Sequence, residues 1–209
     1  MTSKVCARRP AAVMALAVLL AQVSFAGIIP TATPTRMQPA VLRGQFQQSR
    51  HLEGFKHALV SSGDFVLARG KGVIWKTRAP FASVTIITAY RLTTSDAGSA
   101  TATVAPRERS QAAGLVSSLM MALVSADVAS LSQVFEIQQA VLPDGRWRMD
   151  LVPRQALLGR VFAKIQLDGD RYVRSVHLEE KSGDVTDIKL SALTEVPAHL
   201  DAAELKQIE

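Results

Sequence analysis

Cysteine occurs once in the 209 residues, as Cys6 near the start. The body of the chain therefore has no disulfide to lean on in an oxidising compartment, and its core must hold it together. Catalytic signatures are missing as well. There is no G-x-S-x-G elbow, and no cysteine nucleophile lies beyond the first few residues. The four histidines, His51, His57, His177 and His199, fit no metal-ligand spacing. Gly70-Lys71-Gly72 lacks the rest of a phosphate-loop pattern. Glu179 and Glu180 are adjacent, so on a strand they point to opposite faces and cannot share acid–base work. These absences argue against an enzyme and imply neither metal nor cofactor. Aromatic residues make up 5% of the chain, and no dense basic stripe interleaves with them, which argues against a nucleic-acid partner.

The first 26 residues read as a secretory signal. Lys4, Arg8 and Arg9 precede an uncharged run from Ala11 to Ala21, and Ser24-Phe25-Ala26 offers small residues at the cleavage positions. Cleavage is expected after Ala26. The apolar run is too short for a good transmembrane span, and no second long run follows. Cys6 precedes the apolar run, so it cannot serve as the acylated cysteine of a lipoprotein. The expected product is soluble, periplasmic and unanchored. It would carry 21 Lys and Arg against 18 Asp and Glu, a net charge of +3. Residues 27–40, with Pro30, Pro34 and Pro39, read as an extended lead-in. The 183 residues after the signal suit one domain, spanning 41–209 behind the lead-in.

The stretch Asp64–Trp75 organises this domain. Period-2 alternation puts Phe65, Leu67 and Arg69 on one face of a strand, and Gly70 and Gly72 are expected to supply the positive φ of a tight connection. A cation thus ends an apolar row beside a turn. It either snorkels to water from the rim or has a partner that compensates its burial. Strands are expected at 41–52 (with Phe46, Gln48, Arg50 and Leu52 on one face), 59–69, 73–77 and 83–90. Residues 91–104 read as short strands or loop.

At Pro106 the pattern changes. Leu115, Leu119 and Leu123 recur at helical spacing, and the run 107–124 is apolar around much more than one stripe. A second short helix is expected at 127–131, with Ser125 or Asp127 as its N-cap. Strands follow with clean alternation. Trp147, Met149 and Leu151 share a face, as do Val161, Ala163, Ile165 and Leu167, then Tyr172, Val176 and Leu178, then Ile188, Leu190 and Ala192. Turns fall at Pro143-Asp144-Gly145, Asp168-Gly169-Asp170 and Ser182-Gly183-Asp184. The tail after Val196-Pro197 reads as a short helix or an edge strand.

About eight to ten strands in one antiparallel sheet must curl. The expected fold is mainly β with inserted helices: a curved antiparallel sheet forming an open half-barrel. A small helical lid at about 107–131 closes its dry face. Helices that plug a curved sheet leave an apolar cavity, for which Met120 and Met121 are adaptable lining. The expected lining is Phe46, Phe65, Leu67 and Ile86 from the early strands and Leu115, Leu119, Met120 and Leu123 from the helix. Phe135, Trp147, Met149, Ile165, Leu167 and Val176 would complete it from the late strands.

The residues Phe46-Gln47-Gln48, Ser62-Gly63-Asp64-Phe65, Arg69 followed six residues later by Trp75, and Pro80 carry a family pattern. Ala126-Asp127, Leu131, Phe135, Trp147, Leu151 and Pro153 extend it. Over about 41–195 the chain resembles the outer-membrane lipoprotein carrier family, LolA. The resemblance implies a soluble monomer that shields acyl chains of lipoproteins or other lipid-linked molecules in the half-barrel. Cargo would pass from an inner-membrane donor complex to an outer-membrane acceptor. It implies that Arg69 hydrogen-bonds the lid and holds the empty form closed, and that Trp75 is a core aromatic. Two features depart from the family. The Pro-rich lead-in stands where a long N-terminal helix belongs, and the loop after Tyr90 is more polar, without the usual aspartate–glycine pair before it. Relatives associated with aryl-polyene, lipid-linked pigment export mark the range of cargo the resemblance allows. The alternatives are a partner-binding envelope protein with a fully packed core, and an enzyme acting on lipid intermediates.

Overall fold

A computed structural model of the chain describes residues 39–88, 92–96, 103–104, 121–122 and 127–208. Its first strands are β1 (Val41–His51), β2 (Leu59–Ala68), β3 (Gly72–Ala79), β4 (Ser83–Thr88), β5 (Leu92–Asp96) and the two-residue β6 (Thr103–Val104). Then come helix α1 (Val128–Val134), strands β7 (Phe135–Val141) and β8 (Trp147–Pro153), and helix α2 (Ala156–Val161). The chain continues through β9 (Phe162–Gly169), β10 (Val173–Glu180) and β11 (Val185–Thr194) to helix α3 (Ala202–Ile208). The eleven strands form one antiparallel sheet in the order β6-β5-β4-β3-β2-β1-β11-β10-β9-β8-β7. Two meanders are joined edge to edge where β1 pairs with β11. The sheet is not closed: β6 and β7 are its opposite edges. This is the open half-barrel that the alternation implies.

Cross-strand partners share a face, so the register sorts the residues. The row Leu42, Leu67, Val73 and Ile87 lies on one face, and so does the row Val176, Leu167 and Met149. These residues belong to one buried cluster that spans the sheet, and its face is here called inner. Large rings reach it where the opposite strand offers a glycine. Phe46 pairs with Gly63, Phe65 with Gly44, and Trp147 with Gly169. A Cβ on Gly169 would lie 2.4 Å from the Trp147 ring and 2.2 Å from the Tyr172 carbonyl oxygen. Trp75 stacks on Phe46 with centroids 3.9 Å apart and faces Phe65 at 5.9 Å.

Several local expectations change. Gly70 has φ +73, as a tight turn needs. Gly72 does not share that role. It is a strand residue where a Cβ would come within 2.4 Å of the Ile87 carbonyl oxygen, so close backbone approach is its reason. Asp168 belongs to β9 rather than to the turn and pairs with Arg148 at 2.6 Å. Helix α2 was not expected, and its last residue, Val161, stands where the strand that follows was expected to start. Asp127 caps α1, its carboxylate accepting from the Ser130 N–H at 3.3 Å. Residues 1–38, which hold the expected signal and most of the lead-in, lie outside the described residues.

The outer face has two characters. Across β8–β11 it is a solvated ladder of paired charges. Arg148 meets Asp168, Lys164 meets Asp150 at 3.2 Å, and His177 lies between Asp187 at 2.7 Å and Glu179 at 3.1 Å. The Asp187 hydrogen bond, with help from Glu179, raises the His177 pKa above 6.5 against the opposing effect of burial. A raised value means that charged His177 stabilises the fold fully below pH 6.5, and the contribution fades as pH rises through the folded-state value. Imidazole titration by NMR should show the raised value, and Asp187→Asn should bring it back down.

Across β1–β4 the outer face carries an apolar patch at one end. Val41, Val66, Ala68 and Ile74 form a second buried cluster with Ile208 of α3. A single curved sheet with a wet outer side was expected. Here α3 gives it a second, smaller core.

Candidate functional site

The inner face is the candidate site. Phe46, Phe65, Leu67, Phe135, Trp147, Met149, Ile165, Leu167 and Val176 were expected together, and all are buried in the inner cluster. They come from six strands and form one continuous apolar surface. Ile86 does not join them. It pairs with Ile74, a member of the outer cluster, so it lies on the outer side, and the inner residue of that strand is Ile87. Alternation within β4 could not settle this, because Val84, Ile86 and Ile87 are all β-branched and only the register with β3 picks the face. Leu42, Leu131, Leu151, Ile188 and Leu190 also belong to the inner cluster.

Leu115, Leu119, Met120 and Leu123 lie outside the described residues. Their neighbours Met121 and Ala122 are helical. Ala122 is buried in the inner cluster, and Met121 packs against it. The Ala122 carbonyl accepts from the Asp127 N–H at 3.0 Å, and Leu131 of α1 is fully buried in the same cluster. Sequence segments that connect edge strand β6 to the opposite edge strand β7 therefore cover the inner face, at 121–122 and 128–134. That is where the expected lid belongs.

Toward one end the inner face becomes polar. On β1 the inward row runs Leu42, Gly44, Phe46, Gln48, Arg50. Arg50 bonds Glu180 at 3.3 Å and Asp184 at 3.0 Å. The Asp184 pKa is lowered, first by the Glu53 backbone N–H and then by Arg50. Arg69 stands at the other end. It follows β2 directly and is exposed, and its backbone N–H donates to the Ala40 carbonyl at 2.9 Å. No helix among the described residues is long and apolar enough to cross a membrane.

An open antiparallel sheet with a helix-covered apolar inner face defines the class: an open half-barrel. The family follows from the sequence. Residues 38–204 match the model of the outer membrane lipoprotein carrier protein LolA, and the chain belongs to that family. No curated protein matches the chain. Among solved structures, a LolA superfamily protein from Nitrosomonas europaea aligns at 8% identity and TM-score 0.42, covering 77% of this chain and 88% of that one. A DUF1329 family protein from Desulfovibrio piger aligns at 10% identity and TM-score 0.44, covering 82% and 92%. The MucA/MucB complex of Pseudomonas aeruginosa aligns at 12% identity and TM-score 0.38, covering 78% and 56%. None of these comparisons bears on the aryl-polyene branch.

Proposed function

We propose that this protein is a soluble periplasmic carrier, exported by a cleaved signal. It shields the acyl chains of lipoproteins or other lipid-linked molecules on the inner face of the half-barrel and delivers them toward the outer membrane. The observation that carries the reading is the continuous apolar inner face, drawn from strands of both meanders and covered by separate helical segments rather than by a second sheet. Family membership supports it. Each methylene moved from water to such a surface contributes about 0.8 kcal/mol, so part of one acyl chain gives useful affinity. Release requires the covering segments to move. They are not tied into the sheet ladder and so can move without breaking strand pairing.

In this reading Phe65, Leu67, Trp147, Met149, Ile165 and Leu167 contact cargo, together with Leu115, Leu119, Met120 and Leu123 of the segment expected to form the lid. Arg69, at the end of the Phe65 and Leu67 row, holds the lid by hydrogen bonds to its backbone, a role suited to a guanidinium with several donors. Arg69→Leu should fold, load cargo and fail to pass it on. In a reconstituted transfer assay, wild-type transfer by this variant sinks the assignment.

The carrier reading itself is tested on protein purified from periplasm without detergent. Organic extraction and mass spectrometry should find acylated peptides or lipids at near-equal stoichiometry. Lipid-free protein that also ignores a fluorescent fatty-acid probe would overturn the reading in favour of a packed, partner-binding domain.

A further inference from the structure

A pocket of about 340 Å³ lies on the outer side, between the start of β1, the β2–β3 turn and the C-terminal segment. Val41 and Ala68 form its floor, Leu200 and Leu205 one wall, and Arg69 and Lys71 its basic rim. Floor and wall are held in place by independent means. Val41 and Ala68 belong to paired strands and to the outer cluster. The C-terminal segment is tied down by Arg43, whose guanidinium donates to the carbonyls of Pro197 at 2.6 Å and His199 at 3.0 Å and to both carboxylate oxygens of Glu204. The same contacts occupy Glu204, the acid next to the pocket wall, so its charge is already matched. The volume and the mainly apolar lining with a few polar groups are those of a small-molecule site.

We propose that this outer pocket is a second binding site, separate from the inner face, for a small amphiphile bearing one anionic group, a carboxylate or a phosphate. Its apolar body rests on Val41, Ala68 and Leu200, and its anion meets Lys71 at the rim. Lys71 can follow the anion because it is exposed on a turn fixed by its own N–H bond to the Ala68 carbonyl at 3.0 Å. The site shares the Arg69 end of the sheet with the inner face, and its occupancy does not depend on the carrier reading.

The test is methyl NMR of the purified protein titrated with octanoate, octyl phosphate, 1-octanol and octylamine. Both anions should shift the Val41, Leu200 and Leu205 methyls saturably, with 1-octanol at least tenfold weaker and octylamine silent. Whichever anion binds more tightly identifies the headgroup. Lys71→Glu should weaken the anions at least tenfold and leave 1-octanol unchanged. Ala198→Trp, a change on an exposed loop residue that also lines the pocket, should abolish the shifts from both anions and from 1-octanol without loss of fold. Equal binding of octanol and octanoate would overturn the proposal, as would anion binding indifferent to Lys71→Glu. So would shifts confined to the Leu67 and Ile165 methyls of the inner face. That last result would leave the carrier reading standing, whereas shifts confined to the outer methyls leave that reading to the extraction experiment.

Discussion

Trp147→Ala should cost about 3–5 kcal/mol of stability, the range for removing a large buried aromatic. For a domain of this size that lowers the melting temperature by on the order of 10 °C. The ring is 1% exposed at the centre of the inner cluster, and its indole N–H donates to the Asp170 carbonyl. Asp170 in turn accepts from the Tyr172 N–H and from Arg174, so the truncation loosens the β9–β10 turn as well as opening a cavity. Gly169→Ala should be comparably harmful from the other side, because the new methyl would overlap the ring and the Tyr172 carbonyl. Val152→Ala is the control: 46% exposed on the same strand, it should fall within about 0.5 kcal/mol of wild type. Urea denaturation of the three variants decides it. A Trp147→Ala loss near that of Val152→Ala would mean that the inner face is held as a loosely filled cavity even without cargo, not as a packed core. That outcome would strengthen the carrier reading, and a full loss would mean that cargo must displace packed side chains to enter.

Much of this face can be read from the chain, and the reason is the period-2 code. Trp147, Met149 and Leu151 alternate with Arg148 and Asp150, so either register puts the charges in water. The same holds for Ile165 and Leu167 between Lys164, Gln166 and Asp168. Where both faces of a strand are apolar the code fails. In β4 it could not tell Ile86 from Ile87. In β2, Val66 and Ala68 alternate with Phe65 and Leu67, and both sets are buried. That uninterrupted run was the available sign of a second, outer core, since a strand covered on both sides reads as continuously apolar. Helix α2 was missed because Ala156, Leu157 and Leu158 fit a strand run as well as one and a half helical turns, and six residues are too few for periodicity to decide. The pocket at Lys71 was invisible for a different reason. It exists only because the C-terminal segment, 130 residues later, folds back over that turn, a long-range consequence of Arg43 finding Glu204.

That pairing carries the second large effect. Glu204→Ala should destabilise the protein by about 3 kcal/mol, the low end for breaking a largely buried ion pair. The loss has three parts that act together. Arg43 would keep a mostly buried guanidinium, 16% exposed, without its carboxylate. The start of α3 would lose a reciprocal cap, since Glu204 accepts from the Asp201 N–H at 2.9 Å while Asp201 accepts from the Glu204 N–H at 2.7 Å. Ile208 would lose the anchor that presses it onto Val41, Val66 and Ile74. The Arg43 hydrogen bond lowers the Glu204 pKa below its ordinary 4.5, against the opposing effect of burial. A lowered value means the stabilisation is fully present above pH 4.5 and is lost as pH falls through the folded-state value. Wild type should therefore shed this contribution in acid, and Glu204→Gln, which keeps the shape without the charge, should lack that part of the pH dependence. Hydrogen exchange separates the local from the global effect. In Glu204→Ala, protection should fall first in α3 and the outer rows of β1–β4, while β8–β10, which contribute nothing to the outer cluster, retain theirs. Uniform loss of protection across the sheet would instead mean that the outer core and the inner face unfold as one unit, and that the C-terminal helix is part of the nucleus holding the half-barrel together.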